Sequence, residues 1–398
     1  MIGISRTKNV LATVMQTFSI TALVTVLWLA FGYSLAFAPA LLLEPARSGS
    51  SPVYGNASRF WLRGMHIDSY HQLAPTIPEA VFCMYQLTFA IITCALICGS
   101  FAERMRFDAM LIFITIWLLT VYCPMAHSVW HPEGFLYQYG VLDYAGGDVV
   151  HIASGVSGLV SAVVLGHRHG FGKEAFEPHN LLLCLTGASL LWVGWFGFNA
   201  GSAFSAGERA AYAMLMTQIS TAAGSLSWMT VDWIYNAHPS IQGCVSGAVA
   251  GMISITPGAG FVDPTGAFIT GLIGGPVCFF GSMLKHQLGY DDALDAFGVH
   301  GIGGIWGGIA VGFFATSAVY GSEPDTEGVF YGSTDVGGTQ LGKQLYGITV
   351  SAFYAGFMTF CILKLMELCM PIRVTMEQEV EGLDSSLHGE TVVTEKFE

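Results

Sequence analysis

Charge is what this 398-residue chain has least of. Lys and Arg number 15 and Asp and Glu 28, together 11% of the residues, where a soluble domain carries about 25%. The scarcity excludes an ordinary soluble fold with a charged surface. The chain also has no C-x-x-C pair among its nine cysteines, no H-E-x-x-H and no G-x-S-x-G. These absences remove the common zinc, dithiol and serine-hydrolase signatures. "GHRHGFGKE" at 166–174 ends in Gly-Lys, but it lacks the Walker spacing and the following Ser or Thr. No enzyme activity, cofactor or nucleic-acid partner is expected. The cysteines lie in or at the ends of apolar segments, and we read them as small apolar packing residues.

What the chain has is apolar length. Hydrophobic residues make up 53%, and the mean hydropathy is +0.56. A bilayer-spanning helix needs about 20 mostly apolar residues. Such runs recur at 9–38, 78–100, 108–130, 148–166, 179–203, 210–235, 240–256, 265–286, 297–319 and 343–369. The reading is an all-α polytopic membrane protein of about ten transmembrane helices, with both ends on one side. The seventh run, "SIQGCVSGAVAGMISIT", is short and Gly-rich. The 49 glycines fit close packing of membrane helices. A cleavable leader ending at "AFA" (36–38) is a poor alternative, because the apolar region is too long.

The positive-inside rule sets the side. With both ends cytoplasmic, Arg6, Lys8, Arg104, Arg106, Arg168, Lys173, Lys285, Lys364, Arg373 and Lys396 fall inside. Arg47, Arg59, Arg63, Arg209 and Lys343 fall outside. The outer loop 39–77 then carries the sequon Asn56-Ala57-Ser58, which matters only in a eukaryotic host. The net charge of −13 is partly a tail effect: residues 374–398 hold seven acids against Lys396. The division expected is a transmembrane domain over 1–370 and a cytoplasmic tail over 371–398.

Two stretches stand apart. "DYAGGDVVHIASGVSGLV" (143–160) and "DAFGVHGIGGIWGG" (295–308) both contain V-H-x-x-x-G-x-x-G. On a helix the histidine and the two glycines share one face. His151 tops Gly155 and Gly158, and His300 tops Gly304 and Gly307. Each stripe lets another backbone approach. The histidines sit on the fourth and ninth spans, which run in opposite directions. That is the pattern of an inverted repeat around a central site. A lone buried histidine is usually a packing residue; two in matching contexts inside a bilayer point to function. Neither has a His or carboxylate three or four residues after it, as a metal site on one helix face would want. A pair of neutral imidazoles offers a donor and an acceptor and suits a small polar solute. The other histidines, such as His167, His169 and His286, lie near span ends or in loops and are read as solvated.

The stretches "RTKNVLATVMQ", "FAERMRFDAMLIF", "AHSVW", "LDYAGGDVVHI", "GFGKEAFEPHNL", "GWFGFNAGSA" and "DAFGVHGIGGIWGG" together resemble the ammonium transporter family (Amt/Mep, distantly the Rh glycoproteins). The resemblance runs from about Arg6 to the tail. It implies a homotrimer in the plasma membrane with one pore per subunit, carrying ammonium or ammonia, with methylammonium as analogue. By that resemblance His151 and His300 are the twin pore histidines. Phe89, Trp130 and Ser202 match the outer recognition site. Phe89 and Phe198 match two stacked phenylalanines that close the pore, and Asp143 matches the aspartate supporting recognition from behind. Read without the family, Phe89, Phe198 and Trp130 are membrane-core aromatics, and Asp143 is a helix cap. The tail resembles a segment that couples subunits and can meet a PII-type signalling protein. An ammonium sensor with little flux and an Rh-type channel for ammonia or carbon dioxide are the alternatives.

Two departures from the family pattern bear on this reading. Family members carry eleven spans, and the one before the "RTKNVL" stretch is missing here, as from a mis-called start or a short form. Asp148 replaces a neutral residue three positions before His151. It either faces the outer vestibule or is a solvated helix start favoured by the helix dipole.

Overall fold

A computed structural model describes residues 3, 5–41, 53–321 and 326–392. The expectations for Arg47 and Lys396 lie outside these residues. Ten helical rods follow one another. They are α1 (Thr7–Phe37), α2 (Glu79–Phe101), α3 (Phe107–Tyr139), α4 (Gly147–Leu165), α5 (Leu181–Gly201), α6 (Glu208–Asn236), α7 (Ile241–Ile255), α8 (Pro264–Leu288), α9 (Ala296–Phe314) and α10 (Thr334–Cys369). Eight of them are long and apolar enough to cross a membrane. The exceptions are α6 and α7. The first is long but rich in Ser and Thr, and it buries Thr217, Ser220, Thr221, Ser225 and Ser227 against its neighbours. The second has 15 residues, about 22 Å of helix against a hydrocarbon core of about 30 Å. The buried turn at 256–261 continues it.

Local chemistry explains the rods' starts. The Asn180 side chain accepts from the N–H groups of Leu182 and Leu183 at the head of α5. Asp263 caps α8 with Pro264 at its first position, and Ser240 caps α7. Each satisfies N–H donors that a helix start leaves free. Within α1, Thr21 and Thr25 are exposed, and each donates its hydroxyl to the carbonyl four residues back. No bare hydroxyl is offered to an apolar surrounding. Glycine sets how closely α6 and α7 pack: a Cβ on Gly247 would lie 2.5 Å from the Gly224 carbonyl oxygen.

At one end of the bundle lie a two-stranded hairpin, β1 (Tyr70–His71) with β2 (Ala74–Pro78), and the turn between α3 and α4. The other end is held by ions. Arg6 meets Glu103, Arg168 meets both Glu103 and Asp291, and Arg104 meets Asp291. Two short helices follow α10: α11 (Met376–Glu381) and α12 (Leu383–His388). Asp384 accepts from the N–H groups of Leu11 and Ala12, and Asn9 accepts from the Leu383 N–H. Arg373 donates to the carbonyls of Leu165 and His167. Both termini therefore meet at one end, as an even number of antiparallel rods requires. Because α4 starts at the hairpin end and α9 at the tail end, the two histidine helices run in opposite directions.

Three sequence readings are corrected here. Asp148 is neither solvated nor in a vestibule: it is 4% exposed, between α4 and α10. His71, His127 and His131 are buried, unlike the exposed His167, His169 and His286. They are stacked or tied locally: His127 lies 4.5 Å from His131, His71 lies 4.4 Å from Phe82, and the Phe37 and Ala36 carbonyls bond to His71 and His127. The tenth rod begins nine residues before the expected 343, because its polar, Gly-containing first turns carry no hydropathy signal.

Candidate functional site

The inner half of the site is built where α4 and α9 cross. A Cβ on Gly155 would sit 2.4 Å from the Gly301 Cα, and one on Gly304 would sit 3.0 Å from the His151 Cβ. The two backbones therefore touch, as the glycine stripes imply. His151 and His300 both lie in a π-helical turn, Gly147–Ile152 and Ala296–Gly301. Such turns are rare and occur mostly as single insertions at functional positions. The two Nδ1 atoms are 3.2 Å apart, with ring centroids at 5.3 Å.

This contact dictates the other nitrogens. One histidine donates Nδ1–H, and its Nε2 is then a bare acceptor. Its partner accepts at Nδ1 and must carry its proton on Nε2. The neutral pair so presents one donor and one acceptor. The His151 Nε2 is buried with no protein partner.

An aromatic file leads from the pair toward the hairpin end. Trp195 stacks flat on His151 at 5.6 Å and 8°. Phe198 lies 6.2 Å from His151 and stacks on Phe89 at 4.3 Å. Phe89 meets the edge of Trp130 at 5.6 Å and 89°. The Trp130 indole N–H donates to the Asp143 backbone carbonyl at 3.0 Å. Ser202, four residues beyond Phe198, donates its hydroxyl to the Phe198 carbonyl and shares a 2.9 Å bond with the Tyr85 hydroxyl. Tyr85 in turn packs on Phe89 at 4.9 Å. All seven residues singled out in the sequence therefore join one contiguous arrangement.

Asp143 acts on backbone. Its two carboxylate oxygens accept from the N–H groups of Gly146, Gly147, Asp148 and Val149 at 2.6–3.3 Å. Four donors fill the lone-pair sites of an ionised carboxylate and leave no place for a proton. The cap thereby fixes the turn that carries both the Trp130 acceptor and the start of the His151 helix.

Three site residues escaped the sequence reading. Asp292 accepts from the N–H groups of Ala296 and Phe297 and caps the His300 turn as Asp143 caps the His151 turn. Each aspartate stands eight residues before its histidine, so extending the repeat backward would have found it. Tyr85 lies four residues before Phe89, and Trp195 three before Phe198, each on its partner's helix face. A period-based inspection of those faces would have shown both. Among the described residues no His, Cys, Asp or Glu group is arranged to hold a metal.

Known proteins share the sequence and this architecture. Residues 1–393 match the Ammonium Transporter Family. An ammonium transporter of Bacillus subtilis is 48% identical over 389 residues, covering 98% of this chain and 91% of that one. The crystal structure of Saccharomyces cerevisiae Mep2 superposes with a TM-score of 0.80 at 33% identity, over 94% of this chain and 84% of that chain. A sensor Amt protein has a TM-score of 0.84 at 24% identity, over 97% and 92% of the two chains, which is a likeness of fold. With the glycine-crossed histidine pair and its aromatic file in place, the chain belongs to the ammonium transporter family.

Proposed function

We propose that this chain carries ammonium across a membrane by recruiting the cation, stripping its proton and passing ammonia along the histidine pair. The observation that carries this reading is the unbroken file from Trp130 through Phe89 and Phe198 to His151 and His300. Ammonium is drawn to the Trp130 and Phe89 faces by about 0.5–2 kcal/mol of cation–π attraction. The Ser202 oxygen offers an acceptor to one of its N–H groups, and the ionised Asp143 adds negative potential from behind. The stacked phenylalanines then bar the way. They offer a cation no hydrogen bonds, and a bare charge in such surroundings is very costly. Ammonia pays far less to pass. Beyond the gate its lone pair meets the Nε2–H of one imidazole, and its N–H meets the bare Nε2 of the other.

The recruitment end faces outward in this reading, because ten of the 15 basic residues then fall on the cytoplasmic side with the tail. The membrane is the plasma membrane. A homotrimer fits the exposed apolar side of α5, where Leu182, Leu190 and Val193 are about 70% exposed. The docked tail is the surface for a PII-type signalling protein.

The test is methylammonium uptake in cells lacking their own ammonium uptake, comparing the chain with His151→Ala. Uptake that depends on His151 supports the path. Well-inserted protein with no uptake sinks the transport reading and leaves a sensor.

A further inference from the structure

Asp148 has no role in the path just described, and its surroundings are unusual. It is 4% exposed, its Oδ1 has no hydrogen-bond partner, and it forms no ion pair among the described residues. Its Oδ2 lies against α10 at Gly347, where an added Cβ would be 3.1 Å away. One turn further along α10 is Ser351, fully buried, whose hydroxyl also lacks a hydrogen-bond partner. Among the described residues, the charged side chain that acts on it is Asp143 and the polar one is Ser351. Gln344, also on this face of α10, is occupied by the Leu142 backbone. The four N–H donors of the turn are taken by Asp143.

A buried carboxylate with no countercharge, and with the Ser351 hydroxyl as its one side-chain donor, is strongly disfavoured in its ionised form. Two carboxylates on one turn cannot both stay ionised without a cation. Asp143 holds all the donors, so the charge belongs there and the proton belongs on the other acid. We propose that Asp148 is a proton-carrying positioning residue of the recruitment site: a neutral acid at neutral pH that sets how much negative charge stands behind Trp130. The carboxylic O–H then has the Ser351 oxygen as its nearest acceptor, which gives both unpartnered groups a use. The proposal rests on the recruitment reading above. Its sign follows directly. As external pH rises, loss of this proton adds a second negative charge beside Asp143 and tightens ammonium recruitment. At an effective dielectric of about 20, an added charge in this turn is expected to change the cation's affinity on the order of tenfold.

The experiment has two arms. Infrared difference spectra of purified wild-type protein against Asp148→Asn read the carbonyl of a protonated, buried carboxylic acid, which shifts in heavy water. This arm needs no transport. Methylammonium KM across external pH reads the consequence. The expected result is a carboxylic-acid band present in wild type and absent in Asp148→Asn. Wild-type KM should fall about tenfold toward high pH, with the variant fixed at the acid-side value and kcat unchanged. Should Asp148→Asn fail to insert, Ser351→Ala replaces it: the neutral acid loses its acceptor, which shifts the band and moves the KM transition to lower pH. Identical bands in wild type and variant overturn the proposal, as does a variant that keeps the wild-type KM profile. A band without any uptake upholds the proton on Asp148 and refutes transport instead.

Discussion

Replacing Gly155 with Ala should disturb the histidine pair more than any single methyl added elsewhere on α4. The new Cβ would meet the Gly301 N at 2.2 Å and its Cα at 2.4 Å. Both are backbone atoms in a helix, so no side-chain rotation relieves the clash. Relief needs about 1 Å of separation between α4 and α9. That stretches the 3.2 Å His151–His300 contact past the limit of a hydrogen bond. Overpacking costs about 1–3 kcal/mol, and an imidazole nitrogen left buried and unpaired costs about 1–3 kcal/mol more. The expected outcome is a protein melting several degrees lower in detergent, with methylammonium uptake per inserted molecule down at least tenfold. Gly338→Ala is the matched control, since a Cβ there meets nothing within 4 Å. If Gly155→Ala kept full uptake and an unchanged melting temperature, the contact between the two histidine helices would not exist as described.

Two further outcomes follow from the capped turn and the ion cluster. Asp143→Asn replaces half of a four-bond acceptor with a donor facing N–H groups, so uptake should drop tenfold or more, with about 1–3 kcal/mol lost in a thermal melt. At the tail end, burial alone would push the Asp291 carboxyl up, but Arg168 and Arg104 hold it below the ordinary carboxylate range. A depressed carboxyl stabilises the fold fully above its unfolded value of about 3.9, and that contribution disappears as pH falls through the lower folded value. Melting curves should therefore show the wild type losing stability below about pH 4. Asp291→Asn should already be weaker by about 3–5 kcal/mol at pH 7, with Arg104 left without a carboxylate and Arg168 keeping only Glu103.

The bundle was legible because a bilayer-spanning helix writes itself as a long apolar run, and eight runs are of that kind. It was less legible in α6, whose buried face mixes Ser and Thr with Ala213, Met216, Ala223 and Trp228. The histidine pair was legible because its glycines repeat at helical spacing, and contact between helices demands small residues there. Asp292 was missed because the repeat was read only forward from each histidine, while its capping role, made with backbone N–H groups, shows only in the fold. Asp148 was misread for a related reason: a carboxylate at a helix start is usually solvated, and only the packing of α10, at Gly347, against it shows that this one is not. The π-helical turns have no sequence signal, since they differ from α-helix by one inserted residue.

The closure of α1 by Asp384 has a bearing on biosynthesis. The N–H groups of Leu11 and Ala12 receive their carboxylate from a residue more than 370 positions later. At a translation rate of about 5–20 residues per second, α1 waits roughly half a minute for it. During that time its first turn is an open end. A chain that stops before Asp384 holds all seven candidate site residues and leaves the first turn of α1 without its carboxylate.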